Sequence, residues 1–257
     1  MRASFAIALA SILASAASAH AQATVHPPMP DHVLPIRYVE RPLTLPEGAF
    51  RLDQSVVFDA ERSQDVLNAP NALAVGLTDW LEIGVTYTFL RDPGALATLR
   101  IAHSSVIDAG IRVQTTVPAL THGDTDLTIS FPIVLRLAHW FRIQTAAIGE
   151  FLLAQRMEPI LRFPLQLAVQ MNRRMFFGIQ GSVSLVDRRF WHGDLGFVFG
   201  HTVAATPIRP IGEVRVGGNF LLGGGGGFAG FEATVSFSFF ATALPTPDVG
   251  SRRGALE

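Results

Sequence analysis

The 257-residue chain predicts an all-β fold, an antiparallel transmembrane β-barrel of about 12 strands, within a range of roughly 10–14. Three observations lead there. Apolar and polar residues alternate with a period of two, in segments that recur from just beyond Gly48 to Phe240. Charged residues make up only 16% of the chain, too few to cover the outside of a water-soluble barrel. The charges that do fall within the alternating segments share the polar parity, which in a strand is one face.

The elements follow in chain order. Met1 and Arg2 form a short basic start, Ala3 to Leu13 an apolar stretch, and Ala17-Ser18-Ala19 and Ala19-His20-Ala21 each fit a small-x-small cleavage site. That pattern predicts a cleaved secretory signal peptide over 1–21. A retained anchor needs about 18 apolar residues in a row, and Ser and His interrupt this run too early. Residues 22–48 predict a periplasmic lead-in, because His26 to Pro46 is rich in Pro and mixed charge and sustains neither sheet nor helix. His20, His26 and His32 follow no metal-ligand spacing, so neither a metal nor another cofactor is expected. No later segment suits a membrane helix, since Arg, Glu, Gln or Gly recurs inside every hydrophobic stretch.

The barrel is expected over 49–240. Strands are predicted at 49–58, 70–78, 81–90, 96–104, 109–118, 125–137, 141–153, 159–171, 175–186, 194–204, 208–220 and 228–240. In the third, Leu81, Ile83, Val85, Tyr87 and Phe89 oppose Glu82, Gly84, Thr86 and Thr88. In the sixth, Leu127, Ile129, Phe131, Ile133, Leu135 and Leu137 oppose Thr128, Ser130, Pro132, Val134 and Arg136. The last sets Phe231, Val235, Phe237 and Phe239 against Glu232, Thr234, Ser236 and Ser238. Residues 241–257 are expected as a C-terminal periplasmic tail.

Alternation alone does not choose the solvent, but the sign of the faces does. A soluble barrel turns its apolar face inward and needs a well-charged exterior. Here the polar face is mostly Gly, Ala, Ser and Thr, so the Phe-rich face is assigned to outer-membrane lipid and the polar face to a lumen. The lumen-lining and ligand-binding candidates are Glu82, Arg100, Arg112, Gln114, Asp126, Arg136, Arg142, Glu150, Arg162, Glu213, Arg215 and Glu232. Charges of both signs facing inward predict cross-linking ion pairs that narrow any pore. Ile148, Leu152 and Val198 break the pattern by pointing inward, and His201 by pointing outward.

Connections agree with this layout. Thr78-Asp79-Trp80, Ala138-His139-Trp140 and Asn172-Arg173-Arg174 read as tight periplasmic turns after every second strand. Asp59 to Ala69, Leu120 to Asp124, Asp187 to Gly193 and Gly223 to Gly227 then face outside. Trp80 and Trp140 fall at the turn end, where an indole suits a headgroup interface.

The hairpin Leu73 to Phe89, with Gly76-Leu77-Thr78-Asp79-Trp80-Leu81-Glu82-Ile83-Gly84, resembles the strand-turn-strand units of bacterial outer-membrane barrels of the porin-like class. The likeness runs loosely from Gly48 to Phe240. It implies a Gram-negative cell outer membrane and assembly machinery that reads an aromatic residue in the final strand, to which Phe237, Phe239 and Phe240 correspond. The tail bearing Pro245 and Pro247 departs from that class.

Other motifs carry less. His103 and Ser105, on the apparent apolar face with Leu99 and Ile101, pair a base with a nucleophile as some outer-membrane lipases do. No polar partner or oxyanion stabiliser accompanies them, and a polar turn is the favoured reading. Gly223 to Gly227 lacks the Lys and Ser or Thr of a phosphate loop. Asp187-Arg188-Arg189 with Trp191-His192 reads as a charged aromatic loop, and Asp124 with Asp126 matches no calcium-loop pattern. Cysteine is absent, which excludes thiol chemistry and disulfides. A net charge of −1 with no basic face excludes nucleic acid as a partner. The expected function is passive or facilitated diffusion of small polar solutes, not catalysis. A plugged structural or surface-interaction barrel and a lipid hydrolase stand as alternatives, and oligomeric state is left open.

Overall fold

The computed structural model describes residues 35, 37–61, 64–88, 92–117, 125–152, 159–186, 189–203, 211–223 and 227–242. Thirteen strands are assigned: β1 (Ala49–Glu61), β2 (Gln64–Asn68), β3 (Pro70–Thr78), β4 (Leu81–Thr88), β5 (Gly94–His103), β6 (Ile107–Thr116), β7 (Asp126–Ala138), β8 (Phe141–Leu152), β9 (Ile160–Gln170), β10 (Met175–Val186), β11 (Arg189–Thr202), β12 (Ile211–Gly223) and β13 (Phe228–Thr242). Both β2 and β3 pair with β1 along its length, interrupted only at Ala69, so they form one wall and the circumference holds twelve. Every neighbour is antiparallel, and β13 closes on β1 from Ala49↔Thr242 to Glu61↔Gly230. Closure pairs the ring's full-length strands on both sides, while among the described residues the short β2 pairs with β1 alone. No helix among the described residues is long and apolar enough to cross a membrane.

The faces divide as the alternation requires. Val85, Ile101, Ile179, Leu195, Phe197, Phe220 and Phe237 are exposed on the outside. Glu82, Asp108, Ser184 and Glu213 are buried on the inside. A hydrophobic exterior around a charged interior is the reverse of a water-soluble core. Trp80 and Trp140 are exposed at the tight-turn end, where the guanidinium of Arg100 lies 5.1 Å from the Trp80 ring centre.

Three strands bulge just before their turns, with Leu77 in β3, Ile101 in β5 and Leu137 in β7 as the extra residues. The bulge at Ile101 corrects one expected facing. One unpaired residue reverses parity, so His103 pairs across with the buried Asp108 and turns to the lumen side instead of sharing an outward face with Leu99 and Ile101. Ser105 sits in the exposed turn beyond it. There the Ser104 hydroxyl accepts from the amides of Val106 and Ile107, so the motif shapes a turn. The expected loop at 187–193 is also shorter, since β11 begins at Arg189 and His192 lies in the sheet. Asp187, Arg188 and Asp124 lie outside the described residues.

Because the outer face is the apolar one, Ile179→Arg on β10 should lower stability in lipid vesicles by about 2–4 kcal/mol. The neighbouring inward substitution Gln180→Arg should cost less than half as much. Urea unfolding followed by Trp fluorescence checks both, and equal costs would contradict an apolar surround.

Candidate functional site in the barrel lumen

The stretch ahead of β1, expected as a lead-in outside the barrel, enters its tight-turn end. Its described residues form no strand, only one 3-10 turn at Tyr38–Glu40. Tyr38, Val39, Arg41, Leu43, Thr44 and Leu45 are all buried. Two glycines make the path possible. Gly48, at φ 71°, turns the chain into β1, where a side chain would be strained. At Gly76 a Cβ would come within 2.2 Å of the Pro46 carbonyl oxygen, so only glycine leaves room for the segment to lie against β3. The amide of Gly48 then donates to the Gly76 carbonyl at 2.8 Å.

Inward side chains receive the segment's polar backbone. The amide of Leu43 donates to Asp108 Oδ2 at 2.9 Å, that of Leu45 to Glu82 Oε2 at 3.0 Å, and that of Val39 to Gln170 Oε1 at 3.3 Å. In return, Arg142 donates to the carbonyls of Tyr38 and Arg41 at 2.9 and 3.2 Å, and Arg136 donates to the Arg41 carbonyl at 2.8 Å. A chain without regular structure must find partners for its buried amides, and the lumen's acids and arginines supply them. Thr44 and Glu47 tie the segment to the turn through Asp79.

The charges form linked groups. Glu82 meets Arg51 at 3.1 Å and Arg112 at 3.8 Å, while Arg112 also donates to Thr98 at 2.9 Å. Asp53 meets Arg51 at 2.6 Å and accepts from Ser238 at 2.7 Å. Asp108 lies 3.0 Å from Arg136, 3.8 Å from Arg100 and 3.7 Å from His103. Glu213 sits between Arg41 of the inserted segment, at 2.6 Å, and Arg215, at 2.5 Å. Burial pulls the Arg41 pKa down, and the neighbouring Glu213 carboxylate opposes that fall. Nearer the loop end the contacts are sparser. Arg162 lies 3.6 Å from Glu150, and Gln180, Asn219 and Glu232 form a chain with both links at 2.9 Å. Gln114 and Asp126 are half-buried there.

Apolar inward residues meet the segment as well. Leu45 clusters with Ala49, Ala74 and Phe240, and Tyr38 with Ala168, Phe176 and Val198. The Tyr38 ring stacks on Phe176 with centres 4.0 Å apart and planes 13° apart. Its hydroxyl donates to Gln166 at 2.7 Å and lies 3.4 Å from Gln144. This accounts for Val198, an apparent lapse in the strand pattern. Phe240, read as part of a terminal aromatic signal, faces inward beneath the Arg41 guanidinium, leaving Phe237 and Phe239 outside. Inward Phe176 and Phe240 break parity visibly in the sequence, and that was the available signal for an apolar occupant.

Comparison with solved structures places the fold among outer-membrane channels. The NanC porin superposes with a TM-score of 0.55 at 10% identity, covering 75% of this chain and 100% of that one. The KdgM porin in complex with disordered oligogalacturonate gives 0.54 at 6%, covering 74% and 98%. An outer membrane channel from Pseudomonas putida F1 gives 0.54 at 11%, covering 85% and 100%. At such identities the likeness is one of fold. No family model matches the chain, and no curated protein matches it by sequence.

The Arg41–Glu213–Arg215 group makes a test of the segment's anchoring. Glu213→Gln leaves the buried Arg41 guanidinium and the half-buried Arg215 without their countercharge, a cost of about 3 kcal/mol or more. Protection of the Leu43 and Leu45 amides against hydrogen exchange should therefore fall by on the order of 100-fold, with β6 amides unchanged. Retained protection would mean that backbone contacts alone hold the segment.

Proposed function

We propose that this chain is an outer-membrane channel for small polar solutes, closed at its tight-turn end by residues 37–47. One observation carries the reading, a twelve-stranded ring that exposes Phe, Leu, Ile and Val while holding Arg, Asp and Glu inside. Such a ring suits a bilayer, and its interior offers charged and hydrogen-bonding groups to a solute. The fold neighbours support it, since all three are porins or channels by name. Partners follow from the same reading: lipid for the outer face and the outer-membrane assembly machinery for insertion. Burial of residues 38–45 favours a second reading, a permanently plugged barrel with a structural or surface role.

Recordings in planar bilayers separate the two. The wild-type barrel should give small or rare conductance steps. Arg41→Ala, which removes the segment's buried ion pair, should raise open probability by on the order of tenfold or more. Silence from both proteins, each recovered as a heat-modifiable band in the outer-membrane fraction, would establish the plugged barrel instead.

A further inference from the structure

Arg142 is buried, yet no carboxylate among the described residues lies within ion-pair distance of it. Its charge is met only by the carbonyls of Tyr38 and Arg41, the side-chain oxygen of Gln144 at 2.9 Å, and the Tyr38 ring, whose centre is 4.7 Å away. Among the described residues, the Nε–H groups of Arg142 and Arg136 have no hydrogen-bond partner. Neutral oxygens satisfy this buried guanidinium less fully than a carboxylate would, because charge-assisted pairs are the stronger ones. Immediately beside it lies an aromatic slot. Phe176 forms its floor, Arg215 lies 4.9 Å from the ring it holds, and Gln166 and Gln144 meet that ring's hydroxyl.

We infer that the seat of Tyr38 is a binding subsite for an aromatic carboxylate, and that the inserted segment is a tethered competitor for it. The ligand's ring would stack on Phe176, its carboxylate would take the Arg142 donors that now hold peptide carbonyls, and a ring hydroxyl would meet Gln166. Each group on the ligand answers a group already met by the segment, through the Tyr38 ring and hydroxyl or the carbonyls of Tyr38 and Arg41. Guanidinium pairs with carboxylate through charge-assisted hydrogen bonds, which carbonyls of the segment replace only in part. The inference deepens the channel reading by naming a solute class, and its test does not depend on conductance.

The test is calorimetric titration of the detergent-solubilised full chain with 4-hydroxybenzoate, against 4-methylphenol and acetate as probes lacking the carboxylate or the ring. Wild type should prefer 4-hydroxybenzoate to both. Tyr38→Ala should bind it at least about tenfold more tightly, because the competing ring is gone. Arg142→Gln should erase the preference over 4-methylphenol, and Phe176→Leu should weaken binding several-fold. Heat-modifiable migration confirms that each variant is folded. Equal affinity in wild type and Tyr38→Ala, no preference over acetate, or no binding at all would overturn the site. A barrel that binds the probe but stays silent in bilayers leaves the site standing and removes the channel; one that conducts without binding removes the site alone.

Discussion

Closure of β13 onto β1 is the constraint from which the remaining features follow. With each wall of the ring flanked on both sides, backbone polarity is largely satisfied within the ring and the outer face is free to be hydrophobic. Period-two geometry then forces each strand's other face inward, whatever it carries. Here it carries Arg, Asp and Glu on adjacent strands, and their charge must be compensated within a confined space.

That compensation takes different forms along the axis. Towards the loops it is light, with Glu150 and Arg162 both partly exposed and amides bridging Gln180 to Glu232. Towards the tight turns it is dense, and the barrel's own acids do not meet all its arginines. Arg142 turns to peptide carbonyls, and Glu213 accepts a third party, Arg41. Networks of this kind add little net stability over an apolar filling, but removing one partner is costly because it leaves a buried charge uncompensated.

A segment held in this way suits a channel better than a permanent core does. Its backbone contacts are hydrogen bonds that water or a solute reproduces on exchange, and its apolar anchors are few: Tyr38, Val39, Leu43 and Leu45. Differential affinity of a solute for the vacated lumen is what shifts such an equilibrium. The exterior, by contrast, offers no comparable exchange, because its face is dominated by apolar side chains.

Strand number, direction and facing were written in the chain itself, because a pleated strand exposes every second residue and the cost of an outward charge is large. The inward placement of Glu82 and Glu213 follows from parity alone, whereas Asp108, one residue ahead of the expected strand, was placed by the structure. What parity does not contain is a count of residues skipped, so the bulge at Ile101 and the reversal of His103 required the paired register of β5 and β6. Nor does a Pro-rich stretch lacking periodicity state where it lies. Residues 37–47 read as an external lead-in, and only the assembled lumen, with Gly76 leaving space and Asp108, Glu82 and Arg142 supplying partners, decided that they lie inside. Local sequence determines which groups a strand presents; which distant groups come to face one another is decided when the ring closes.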